Sequence, residues 1–212
     1  MIPAADREKK AIIKNVTVSH EDACLMPLEA SPKNFSKVIN SMIGRPYGWG
    51  SLYFYNDCSS ELRNLFTPFG IWLPRHSSKQ VSIGKIVDMS SFTEQERLSY
   101  LMNNGDRFLT IVYIGGHVFL YIGNFPNPND PTSTMVMCYQ NIWGLAPRPA
   151  DRRAIIGKAV LFPLLLNYPE DPNLHTLAGH KYFKVCFLNK PSFSSFKKED
   201  GLDLNTLMFP DC

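Results

Sequence analysis

Apolar positions along the 212-residue chain recur first at a helical period and then at a strand period. Phe35, Val38, Ile39 and Met42 fall three and four residues apart, which puts them on one face of a helix. Ser31-Pro32 starts that helix with a capping hydroxyl and a proline at the first helical position, and Gly44 ends it. The same spacing returns in Cys58, Leu62, Leu65, Phe66 and Phe69, behind Asp57 as a cap and ahead of Pro68 and Gly70. Thr93-x-x-Glu96 is a capping-box signature for a short helix to about Asn103. From Arg107 the pattern becomes that of strands. Arg107–Ile114 and His117–Gly123 are apolar runs joined by Gly115-Gly116, a hairpin signal. Met135–Trp143, Ala154–Phe162 and Lys181–Leu188 read as further strands. Gly123, Pro126, Pro128 and Pro131 predict a loop between two of them, and Ile71–Gln80 reads as irregular. The first thirty residues show only weak strand character, around Ala11–Val18, and predict an extended segment lying across the domain.

Helices followed by a run of antiparallel strands is the order of an α+β domain, with amino-terminal helices packed on an antiparallel sheet. The expected division is an arm over residues 1–30, one main domain over 31–189 and a carboxyl-terminal tail over 190–212. A hydrophobic fraction of 44% and a charged fraction of 19% suit a globular chain of this length. The net charge of +3 gives no basic stripe and no argument for nucleic acid. Five cysteines without a close pair fit neither a zinc site nor a disulfide framework, and point to a reducing compartment. No apolar run opens the sequence, and the longest one, Ala159–Leu166, is short and holds Pro163. The expectation is therefore no signal peptide, no membrane span, and a cytoplasmic location or export by a route without an amino-terminal signal peptide.

Cys58 carries the candidate chemistry. In the first turn of a helix, unpaired N–H groups and the dipole favour negative charge, so the position suits a reactive thiolate. A cysteine nucleophile needs a base and a group that holds the base. Of five histidines, His117 is the best placed, opening a strand directly after Gly115-Gly116. For the orienting group, Gln140 and Asn141 point to opposite faces of their strand, so only one can serve. Taken singly, each residue has a commoner bland reading: an inert buried cysteine, a surface histidine, aromatic residues as packing. The combination is what favours catalysis.

The residues also carry a resemblance. Gly44-Arg-Pro-Tyr-Gly-Trp-Gly, Asp57-Cys-Ser-Ser and Gly116-His-Val-Phe-Leu-Tyr-Ile-Gly123 closely resemble the NlpC/p-sixty peptidases, papain-fold cysteine endopeptidases that cut bacterial cell-wall peptides. Phe69-Gly-Ile-Trp-Leu-Pro-Arg75 and Asn141-Ile-Trp-Gly-Leu145 look like the branch with bacterial SH3 domains before the catalytic domain. Ile2–Arg7 is similar to the joining segment, although no such domain stands in this sequence. The resemblance covers roughly residues 2–165 and makes 31–189 an NlpC-type catalytic domain. It implies Cys58 as nucleophile, His117 as base and then acid, and Gln140 as the orienting third member. It further implies Asp57 and Tyr47 at the subsite for the free amine of a terminal L-Ala, with Ser59 and Trp49 shaping the pocket. The implied reaction is hydrolysis of the γ-D-glutamyl–diamino acid amide (meso-diaminopimelate or lysine) in peptidoglycan peptides, with no cofactor and no metal. Two alternatives stand beside it. One is an amidase or acyltransferase on the same fold acting on lipid or protein substrates, its cleft reshaped by Gly123–Pro131. The other is a non-catalytic wall-binding module.

Overall fold

A computed structural model describes residues 2–19, 23–128, 130–147 and 152–191. The expected tail beyond Pro191 lies outside the described residues. At the amino end, β1 (Ile2–Ala5) and β2 (Ala11–Lys14) pair into a two-stranded antiparallel sheet. The arm is thus a small hairpin rather than a single extended segment.

Helix α1 (Pro32–Met42) starts where the sequence puts it, with the Ser31 hydroxyl accepting from the Asn34 N–H, and buries Phe35, Ile39 and Met42. Helix α2 (Cys58–Phe66) begins on Asp57 in a full capping box with Ser60. The chain then tightens into a single 3-10 turn at Thr67–Phe69 and leaves through Gly70 in the left-handed region. The segment expected to be irregular contains a short helix, α3 (Ser77–Gln80). After it come β3 (Gly84–Asp88), which the sequence pattern does not announce, and α4 (Glu94–Asn104) with the expected Thr93/Glu96 capping box.

The main sheet has six antiparallel strands in the order β3-β8-β4-β5-β6-β7. Its other strands are β4 (Thr110–Tyr113), β5 (Val118–Asn127), β6 (Asp130–Leu145), β7 (Ala154–Leu164) and β8 (Lys184–Pro191). Tyr113 pairs with Val118, and the two residues at the tip, Gly115 and Gly116, have φ of 77° and 100°, the turn that glycine permits. The loop expected from Gly123 to Pro131 is mostly strand, because β5 and β6 run on as a long hairpin. Beyond Tyr121 no β4 residue pairs with β5, so Pro126 removes no ladder donor on that side. Pro163 is tolerated for a similar reason: β7 is an edge strand.

The sheet carries apolar packing on both faces. Phe35, Leu62, Leu65, Ile111, Leu120 and Tyr139 belong to the layer under α1 and α2. Leu98, Leu101, Val112, Phe119, Phe183 and Val185 belong to the layer under α4. No helix among the described residues is long and apolar enough to cross a membrane.

Candidate active site

The start of α2 is fixed from several directions. Asp57 Oδ1 accepts from the Ser60 N–H at 2.9 Å, and the Ser60 hydroxyl accepts from the Asp57 N–H at 2.8 Å. Arg75 closes on the same carboxylate, with Nη2 donating to Oδ2 at 2.7 Å and Nη1 to Oδ1 at 3.1 Å. Its two nitrogens also donate to Ser59 Oγ at 2.9 Å and Ser51 Oγ at 3.1 Å. Burial raises the Asp57 pKa, but the bonds from Arg75 and Ser60 outweigh it and hold the carboxyl below its ordinary value. The cap is therefore ionised, and Arg75 pairs its charge.

Asp57 and Ser59, which the resemblance places at and beside the subsite for the substrate's free amine, sit close together at this helix start. Both are buried, and the Ser59 hydroxyl is engaged by Asp57 and Arg75. Arg75 comes from the Ile71–Gln80 segment that the sequence pattern leaves irregular. An ionised cap at a helix start, with the nearest arginine in an irregular segment, was the signal for it.

Cys58 occupies the first helical position and is 6% exposed. Burial raises its thiol pKa to about 11; the N–H of Val118 and that of Ser59 pull it down without prevailing, and Asp57 adds to the rise. The expectation of a resting thiolate is thereby reversed, because desolvation outweighs the helix start. The Val118 N–H places the sulfur against the first residue of β5, next to His117.

His117 lies in the turn before β5 and is half-buried. Its Nε2 is 2.6 Å from Gln140 Oε1. A carbonyl oxygen accepts, so the imidazole carries its proton on Nε2 and leaves Nδ1 bare. Burial lowers the His117 pKa, while the Gln140 bond and the Asp57 charge act in the opposite sense and do not offset it. Of the two residues left open by the sequence, Gln140 is the one that meets His117. Asn141 turns the other way and donates to the Asn56 carbonyl at 3.0 Å and to Glu61 Oε2 at 3.3 Å.

Glu61, one turn after Cys58, is fully buried and went unnoticed in the sequence. It accepts from the Tyr139 hydroxyl and from Asn56 Nδ2 as well as Asn141. The helix that carries the thiol is thereby tied to the strand that carries Gln140.

The segment before α2 forms the rim. Gly48 has room for no side chain, since a Cβ would stand 2.5 Å from that of Tyr55. Tyr47 is half-buried and rests against Trp49 and Trp143, with ring centroids 6.3 and 6.1 Å apart. Burial, then the Cys58 and Asp57 charges, raise its pKa to about 12, so its hydroxyl stays protonated. Trp49 is 76% exposed, and with Tyr47 it lines a cleft of about 470 Å³ that also takes in His117. Gly123–Pro131 does not contribute to that lining.

Residues 44–141 match the model of the NlpC/P60 family. The fold is similar to the solved structure of an NlpC/P60 endopeptidase from Photobacterium damselae subsp. piscicida, with a TM-score of 0.76 and 29% identity over 90% of this chain. A second solved structure, the peptidoglycan hydrolase RipB from Mycobacterium tuberculosis, has a TM-score of 0.40 and 18% identity, over 72% of this chain and 62% of its own. No curated protein sequence matches the chain. The chain is thus similar to NlpC/P60 proteins over residues 44–141 and has a papain-like α+β fold. The chain spans 46% of the length of the Photobacterium structure.

Proposed function

We propose that the protein is a cysteine peptidase of bacterial cell-wall peptides, cutting the amide between γ-D-glutamate and a diamino acid, meso-diaminopimelate or lysine. One observation carries the reading: His117, oriented by Gln140 at 2.6 Å, stands next to the residue whose N–H meets the Cys58 sulfur. The family match and the likeness to an NlpC/P60 endopeptidase support the cell-wall substrate class. The reducing compartment suggested by the free cysteines fits work on peptides inside a cell.

In this mechanism the Cys58 thiol passes its proton to His117 Nδ1 as the sulfur attacks the carbonyl carbon. With the Ser60 N–H taken by the Asp57 cap, the N–H of Cys58 at the first helical position faces the developing oxyanion. His117 then gives the proton to the leaving amine as the C–N bond breaks. Water, deprotonated by His117, attacks the thioester and restores the thiol. No cofactor enters these steps. Tyr47 and Trp49 border the substrate's amino end, and Asp57 meets its ammonium only by sharing Oδ2 with Arg75.

Digestion of L-Ala-γ-D-Glu-meso-diaminopimelate with mass-spectrometric readout tests the reading. Wild type should release L-Ala-γ-D-Glu, and Cys58→Ala should lose at least about 10⁴-fold in rate. Equal rates in the two proteins would end the proposal. Asp57→Asn keeps an oxygen for the cap and removes the charge. It should impair peptides with a free amino end more than amino-blocked ones, and equal losses would remove Asp57 from that subsite.

A further inference from the structure

The cleft beside His117 has a basic wall that the steps above do not use. Arg153, His175 and His180 line it, and among the described residues no Asp or Glu does. The fold holds this wall in place. The His175 N–H donates to the Ala146 carbonyl at 2.8 Å, fastening the segment to the end of β6. Arg97, buried on α4, donates through Nη1 to the carbonyls of Ala178 at 2.6 Å and His180 at 2.8 Å. The two imidazoles stand edge to face with centroids 4.9 Å apart. Arg153 is exposed and forms no ion pair among the described residues.

We propose that this end of the cleft is the subsite for a carboxylate on the leaving-group side of the substrate, with Arg153 as its main ligand and His175 and His180 beside it. The inference rests on the peptidase reading. His117 protonates the departing amine, so the departing diamino acid lies on the imidazole side. His117 lines this cleft, whereas Cys58, which holds the acyl part, does not. A planar guanidinium suits a carboxylate, which it can meet through two parallel hydrogen bonds. The electrostatics agree. Burial, and then the charges of His175, His117, Arg153 and Arg97, hold the His180 pKa at about 4. The Arg153 and Arg97 guanidiniums are cationic, and an incoming anion offsets their repulsion of a protonated His180. All three residues lie beyond the family match at 44–141.

The test compares L-Ala-γ-D-Glu-meso-diaminopimelate with the same peptide whose diaminopimelate carboxylates are converted to carboxamides. Arg153→Gln should raise KM for the free acid about tenfold and change kcat little. The effect on the amidated peptide should be much smaller, and Arg153→Lys should recover part of the loss. Equal effects on both peptides, or none on either, would overturn the subsite. Cleavage of neither peptide by wild type would instead overturn the peptidase reading, and the subsite with it. A binding readout separates the cases further. Cys58→Ala protein should bind the free acid about tenfold more tightly than the amide, and adding Arg153→Gln should abolish the difference. Equal binding of the two peptides by Cys58→Ala protein counts against the subsite whatever the turnover.

Discussion

At Cys58 two effects of opposite sign meet, and their sizes decide the resting state. A charge at a helix start gains roughly 0.3–1 kcal/mol, less than one pKa unit. Burial moves the thiol from 9.0 to about 11 and so prevails. With the His117 pKa lowered as well, the resting pair is a thiol and a neutral imidazole. Activation then waits for substrate to displace water and bring the reacting carbonyl to the sulfur. Site-resolved alkylation by iodoacetamide should show it: at pH 7 Cys58 should react more slowly than a free cysteine, whose pKa is about 8.5. Its rate should keep climbing towards pH 11. A fast rate that is flat between pH 6 and 8 would mean a preformed ion pair. Gln140 fits such a neutral base, since an amide oxygen fixes the tautomer without adding charge. Its Nε2 is buried without a hydrogen-bond partner among the described residues, a loss of about 1–3 kcal/mol that packing has to offset.

At the scale of elements, β6 performs two tasks on its two faces. Gln140 orients the base, while Tyr139 and Asn141 hold Glu61 and through it α2. Glu61→Ala would strand the Tyr139, Asn56 and Asn141 donors and should cost at least about 2 kcal/mol. A lowered urea midpoint at unchanged slope is the expected signature, and a change under about 0.5 kcal/mol would show that the network holds nothing. This tie was hidden in the sequence, since a glutamate four residues after a cap reads as an ordinary helix residue. The local signals fared better. Ser31-Pro32, Asp57 as a cap, Thr93 with Glu96 and Gly115-Gly116 act within four residues of themselves, and the structure uses each as read. The pairings that join distant segments leave no such mark. Arg75 on Asp57, Arg97 on the carbonyl of His180 and the insertion of β8 between β3 and β4 all depend on tertiary placement. The prolines of the β5–β6 hairpin misled for the same reason: a proline breaks a strand only where a neighbour needs its N–H.

For the whole molecule, the titrating groups set a direction for stability against acid. His117 and His180 have folded pKa values below their ordinary 6.5, that of His180 at about 4. Between those values the unfolded chain binds more protons. Their contribution is therefore full above about pH 6.5 and is lost as pH falls towards 4. Asp57, lowered by Arg75 and Ser60 against the pull of burial, adds a further loss below about pH 4. The melting temperature should drop by roughly 2–4 °C between pH 7 and pH 5, and less in His180→Phe. A flat profile over that interval would contradict the assignment. The strand order carries a different consequence. β8 lies between β3 and β4, pairing Val185 with both Val87 and Val112. A ribosome makes this strand after all seven others, so β3 waits unpaired while the hairpin that bears His117 and Gln140 is already complete. A nascent chain therefore cannot close its sheet before residues 184–191 have left the exit tunnel.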